Sequence, residues 1–223
     1  MAAVGQTQMM ATWSHLFDFR CAQILLTHDD LADRRRYLNI DNTLRTFLAN
    51  LVLPIFNQHD SVATAELKVG DNDNLAAMVA ILVDADALII CSDIDGLYSA
   101  NPRTVPDARF IPRVEKITAE IYAMAGGSHH AIGTGGMVTK IQAADKATKL
   151  GVDTLIINGQ KAASFDALLA GELAGTLFVR QQDRLSAKKH WLLNSLKSQG
   201  SIMLDSGAVQ ALLHKGASLL ARA

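Results

Sequence analysis

Residues 133–158 read GTGGMVTKIQAADKATKLGVDTLIIN, and the second part of that stretch decides the fold. Helical spacing over 137–150 runs into Gly151, a residue suited to the left-handed turn that closes a helix. VDTLIIN follows at once, with the length and apolar character of a buried strand. A helix delivered straight into a buried strand is the working unit of an α/β sheet.

The alternation continues outward from this unit. CAQILLTH and ALIICSD are apolar runs of strand length, and LVLPIFN and GTLFV are further strand candidates. Pro54 is an obstacle inside LVLPIFN, because proline cannot donate to a ladder. Residues 6–19, 37–50 and 161–171 carry helical spacing, with Met9, Met10, Trp13 and Phe17 on one face of the first. DNDNLAAMVAILVDA is a helix opened by capping residues, and the middle of the chain, before Gly133, reads as loop-rich. Strands alternating with helices imply a mainly parallel sheet covered on both faces.

Composition narrows the class. The 223 residues are 49% hydrophobic and 19% charged, enough apolar content for a sizeable core. Lys plus Arg number 21 against 22 Asp plus Glu, a balance that argues against bulk binding of nucleic acid or anionic membrane. Arg34, Arg35 and Arg36 follow Asp29, Asp30 and Asp33 and read as a solvated helix face. Cys21 and Cys91 belong to no metal or redox spacing, which suits a reducing compartment. MAAVGQTQMM lacks the pattern of a secretory signal. LAAMVAILVDADALII is interrupted by Asp84 and Asp86 and is too short for a span. The expectation is a soluble cytoplasmic protein with no membrane partner.

In open α/β sheets, ligands sit beyond the carboxyl ends of the strands. Three polar clusters fall at that rim. Asn57-Gln58-His59-Asp60 ends one strand; a lone strand-end Asp is ordinarily a turn former, and gains interest only where it converges with other polar groups. Asp71, Asn72, Asp73 and Asn74 crowd a helix start. One cap would suffice there, and the surplus suits recognition of a small zwitterion. CSDIDGLY places Ser92 and Asp93 at a strand end and a turn at Asp95-Gly96. It lacks the remaining ligands of a calcium loop. His129-His130 has no third metal ligand at plausible spacing, so no metal-binding residue is assigned.

GTGGMVTK fails the Walker spelling, because Lys140 stands four residues after Gly136, and it fails the dinucleotide fingerprint. Its glycines nevertheless let backbone N–H groups approach a ligand closely. A helix start follows, which favours anions, and Lys140 lies about one turn in. Together these favour phosphate over a plain surface loop.

The three clusters in this order resemble the glutamate 5-kinases of the amino-acid kinase family. The resembling residues are AAVGQ at 2–6, PIFNQHDSVATAELKVGDNDNLAA, CSDIDGLYSANPR and GTGGMVTKIQAAD. The resemblance implies a three-layer α/β/α sandwich around a mainly parallel sheet. It also implies transfer of the ATP γ-phosphoryl group, with Mg²⁺, to the side-chain carboxylate of L-glutamate. The product would be γ-glutamyl phosphate, which opens proline biosynthesis. Asp60 and Asn72 then fall at glutamate-binding positions, and Asp73 and Lys140 at catalytic ones. Ser92, Asp93, Thr134, Gly135, Gly136, Met137, Val138, Thr139 and Lys140 fall at nucleotide positions. Proline as feedback inhibitor, glutamyl phosphate reductase as pathway partner and homo-oligomerisation are implied on the same footing.

Two departures stand out. The N-E-N-D usual in these enzymes is Asn57-Gln58-His59-Asp60 here. The K-x-G-x-S phosphate loop and the serine-containing glutamate loop that open such chains have no counterpart in this sequence. The expected organisation is a kinase domain over 1–180 incomplete at its N-terminus, a linker over 181–199, and the start of a PUA-like domain over 200–223. A chain of that kind is expected to be a fragment with little activity alone. The competing readings are a same-fold kinase with another substrate, and a non-catalytic domain that senses glutamate or proline.

Overall fold

The computed structural model describes residues 2–59, 62, 72–126, 136–181 and 203–215. The chain opens with α1 (Ala2–Leu16), β1 (Cys21–Leu26), α2 (His28–Ala32), α3 (Arg34–Ala49) and β2 (Leu53–Gln58). Thr27 and Asp30 close a reciprocal capping box on α2, and the Asp33 carboxylate caps α3 by accepting from the Arg36 N–H. That cap starts α3 at Arg34, ahead of the apolar spacing that begins at residue 37.

β1 and β2 are parallel, in register from Cys21↔Leu53 to Leu26↔Gln58. Pro54 sits inside β2 at no cost to this ladder. Leu53 N–H donates to the Arg20 carbonyl and His59 N–H to the Leu26 carbonyl, so the odd-numbered residues turn their amides to β1. Proline at an even position loses a donor only on the opposite side.

The second part holds α4 (Asn72–Leu82), β3 (Ala87–Ser92), β4 (Leu97–Tyr98), β5 (Phe110–Ile111), β6 (Arg113–Val114) and α5 (Ala119–Met124). It continues with α6 (Met137–Lys149), β7 (Asp153–Asn158), α7 (Ala162–Leu169) and β8 (Thr176–Phe178). The strand order is β3-β7-β8-β6, with β3–β7 and β6–β8 parallel and β7–β8 antiparallel. This is the α/β architecture expected, with one antiparallel seam. Gly151 closes α6 at φ +90°. The middle expected as loops contains β4, β5, β6 and α5, whose strands are only two residues long and too short to show a period. Beyond Gln181 the described residues include α8 (Ser206–Lys215); the rest of the 181–199 linker lies outside the described residues.

Two buried clusters share α4. Leu75 and Leu82 pack with Leu26, Leu31, Tyr37 and Leu44, while Ala77, Ala80 and Ile81 pack with Ile90, Ile141, Ala144, Ala147 and Ile156. The alanines facing each other across α4 and α6 let the two helices lie close, since interaxial distance follows side-chain size. Their first turns are thereby brought together at one edge of the molecule.

Candidate active site

Asp73 belongs to the first turn of α4, and Thr139 and Lys140 to the first turn of α6. Lys140 Nζ donates to Asp73 Oδ1 at 3.2 Å and Oδ2 at 3.0 Å. Thr139 Oγ1 lies 3.0 Å from Asp73 Oδ2 and 2.9 Å from the Gly136 carbonyl, so its single proton serves one acceptor at a time. Beside them, Asn72 Nδ2 donates to Asn57 Oδ1 at 3.3 Å, which joins the start of α4 to the end of β2. Asn57 Oδ1 also accepts from the Gln58 N–H at 2.9 Å.

Gly136 is the N-cap of α6 at φ +94°, and no side chain caps the helix there. The backbone donors of this first turn therefore have no intrahelical or capping partner. Gly136 and Met137 form one wall of a cavity of about 570 Å³, a volume within the range of small-molecule sites. The second wall is the end of α5, from Ala123 to Gly126, and the third runs from Asp93 to Arg103 through β4. Arg103 Nη2 pairs with Asp93 Oδ2 at 2.5 Å. This hydrogen bond, with the guanidinium charge behind it, holds the Asp93 carboxyl below its ordinary value.

The structure brings Asn72, Asp73, Thr139 and Lys140 together, and it places Asp93, Gly136 and Met137 on one cavity. Ser92 ends β3, with its hydroxyl 3.4 Å from Asp93 Oδ1, and Val138 is buried behind the first turn of α6. Asp60, Thr134 and Gly135 lie outside the described residues, as do Asp71, His129 and His130. Sequence reasoning gave no role to Tyr98, Asn101 or Arg103, which are polar members of the third wall. The available signal was the aromatic and Asn-Pro turn chemistry immediately after CSDIDGL. Asp95, read from the sequence only as part of a turn, accepts from Asn158 at 2.9 Å and Lys161 at 2.6 Å and fastens this segment to the end of β7.

The two helix starts meet at a lysine and a carboxylate, and the α6 start borders a cavity, an arrangement suited to holding an anion. The chain belongs to the amino acid kinase family, whose model matches residues 1–158. It is 58% identical over 220 residues to glutamate 5-kinase of Idiomarina loihiensis, covering 99% of this chain and 59% of that protein. It is 54% identical to glutamate 5-kinase of Salinibacter ruber, covering 99% of this chain and 58% of that protein. The chain thus spans about three-fifths of the length of the curated relatives it matches. Among solved structures it is similar in fold to UMP kinase from Bacillus anthracis. The TM-score is 0.51 at 13% identity, over 80% of this chain and 66% of that one.

Proposed function

We propose that this domain transfers the γ-phosphoryl group of ATP to the side-chain carboxylate of L-glutamate, giving γ-glutamyl phosphate and ADP, the first step of proline biosynthesis. The observation that carries the reading is the meeting of Asp73, at the start of α4, with Lys140, beside the uncapped start of α6 and its cavity. The high identity to proteins named glutamate 5-kinase supports the choice of acceptor.

The chemistry suits these groups. A glutamate side chain titrates near a pKa of about 4.3, so the nucleophile is already ionised at neutral pH and needs no general base. A carboxylate oxygen attacks the γ-phosphorus while its bond to the bridging oxygen of ADP breaks. The obstacle is repulsion between anions, so rate acceleration rests on positioning and on fixed positive charge. Lys140 supplies that charge, and Asp73 holds the ammonium at the junction of the two helices. The N–H groups of the GTGG segment and the α6 start take the phosphates, with Ser92, Asp93, Tyr98 and Arg103 around the rest of the nucleotide.

With its Nδ2 given to Asn57, Asn72 leaves its Oδ1 to accept from the substrate ammonium, and Asp60 keeps the glutamate-binding role that the resemblance implies. Mg²⁺ fits this donor set as an ion carried on the nucleotide. The Asp73 and Asp93 carboxylates are already engaged by Lys140 and Arg103, and phosphate oxygens suit magnesium. When bound it neutralises phosphate charge.

Among the described residues Lys140 is the one cation at Asp73, and the sequence contains no K-x-G-x-S loop. We therefore expect the 223 residues alone to turn over at least roughly 10⁴-fold more slowly than a protein with a full set of phosphate donors. Cytoplasmic location, proline inhibition, self-association and hand-over of the labile acyl phosphate to a reductase belong to the same proposal. Among the described residues no helix is long and apolar enough to cross a membrane.

The test is a γ-glutamyl hydroxamate assay with ATP, glutamate and hydroxylamine. It is run on the 223-residue chain and on the full product of the genomic reading frame around it. Glutamate-dependent product from the longer protein, with far less from the chain alone, is expected. Preference for aspartate or UMP over glutamate would overturn the assignment.

A further inference from the structure

We infer that Thr176 is a positioning residue for the cavity: its buried hydroxyl sets where the β4–β5 pair stands, and so where the wall that meets a nucleotide stands. The inference rests on the nucleotide reading above.

Thr176 lies on β8, is fully buried and does not line the cavity. Its hydroxyl accepts from the Leu97 N–H at 2.8 Å and donates to the Ile111 carbonyl at 2.6 Å. Leu97 and Ile111 are register partners in the β4–β5 pair. One hydroxyl thus uses its donor and an acceptor position to hold both strands at the same rung. The preceding residue closes on the same point: a Cβ on Gly96, at φ +149°, would stand 2.5 Å from Thr176 Oγ1 and 3.0 Å from the Thr176 amide nitrogen.

The wall needs such a support. β4 and β5 have two residues each, and among the described residues their ladder joins no other strand. A two-stranded ribbon of that size does not hold its own place. Tyr98 and Ser99 leave it directly into the cavity wall, followed by Asn101 and Arg103. Other polar fastenings are weaker or hold one side only: the Asp95–Lys161 pair joins half-exposed side chains and is worth little where water competes, buried Asn158 adds one amide hydrogen bond to Asp95, and the Pro112 carbonyl beside β5 accepts from the Leu177 N–H at 2.9 Å. Thr176 itself is fully buried, so losing the hydroxyl strands the buried Leu97 N–H together with the part-buried Ile111 carbonyl.

The experiment is calorimetric titration of ATP into the 223-residue chain and its Thr176→Val and Thr176→Ser variants, with melting temperatures measured in parallel. Valine keeps the shape and removes both hydrogen bonds, and serine keeps the hydroxyl. Thr176→Val should weaken ATP binding about tenfold or more, whereas Thr176→Ser should stay within about twofold of the parent. A Thr176→Val protein that melts earlier yet binds ATP as the parent does would overturn the inference, leaving Thr176 a stability residue only. If Thr176→Val does not fold, amide exchange in the parent decides. Leu97 exchanging as slowly as Ile156 supports the inference, and Leu97 exchanging as an unprotected amide overturns it. A parent chain that takes up no ATP at all overturns the nucleotide reading itself, a result distinct from either.

Discussion

Asp73 gives both carboxylate oxygens to the ammonium of Lys140, across 67 residues of chain. The side chains are 21% and 17% exposed, so water screens the pair far less than it would on an open surface. Removing either partner leaves a shielded charge without its counter-charge, the costly way to break such a pair. The geometry therefore fixes the ammonium at the mouth of the α6 start rather than leaving it to wander on a four-carbon stem.

Lys140→Ala should lower kcat by about 10²–10³-fold while leaving the KM for glutamate within a small factor, because loss of one preorganised donor is felt most in the transition state. Steady-state hydroxamate kinetics on the longer product of the reading frame measure it. Unchanged kcat would remove Lys140 from the chemistry.

Asn72→Ala should show the opposite pattern, a raised KM for glutamate with kcat much less affected, since the amide orients the ground state. The loss of the 3.3 Å bond to Asn57 should cost little stability because the pair is exposed. A pure kcat effect would place Asn72 at the reacting atoms instead.

Arg103→Gln should weaken binding of ATP more than of adenosine, as expected of a guanidinium that trades an exposed carboxylate for phosphate. Its loss should also let the Asp93 carboxyl titrate closer to its ordinary range, because the Arg103 hydrogen bond is the main cause of its depression. Nucleotide titrations, with carbon NMR of Asp93, separate the two effects; equal losses for ATP and adenosine would exclude a phosphate contact.

At least two of the three tyrosines should resist ionisation through the range where a free phenol titrates. Burial raises the Tyr37 and Tyr122 phenols, helped at Tyr122 by the Asp145 carboxylate 3.4 Å from its hydroxyl. A neutral acid whose folded pKa exceeds its unfolded value contributes stability that is whole below the unfolded value and lost as pH rises toward the folded one. Alkaline titration followed at 295 nm should therefore show these two phenolates emerging only with unfolding. Three tyrosines ionising reversibly near pH 10, about the free value, would contradict the packing.

What the sequence made legible were the long elements and the residues that end them. VDTLIIN after Gly151 announced β7, because a glycine stop and an apolar run are local signals. Asp73 and Lys140 each stood out within a polar or glycine-rich cluster. Their meeting did not, since it depends on alanines setting the distance between α4 and α6. Thr176 was invisible for a related reason: in GTLFV a β-branched threonine reads as an ordinary strand residue, and only the fold reveals two backbone partners for its hydroxyl. Arg103 was hidden by the two-residue strands around it, which carry no periodicity.

Because α4 lends Leu75 and Leu82 to one interior and Ala77, Ala80 and Ile81 to the other, it is the keystone between two halves that share no hydrogen-bonded strand among the described residues. No single cut between the two halves leaves both with an intact interior, so a version split there should recover shape only when its pieces are mixed. Heat should find the same constraint. The corner that holds Asp73 has no melting point of its own and disappears in the transition that dissolves the sheet.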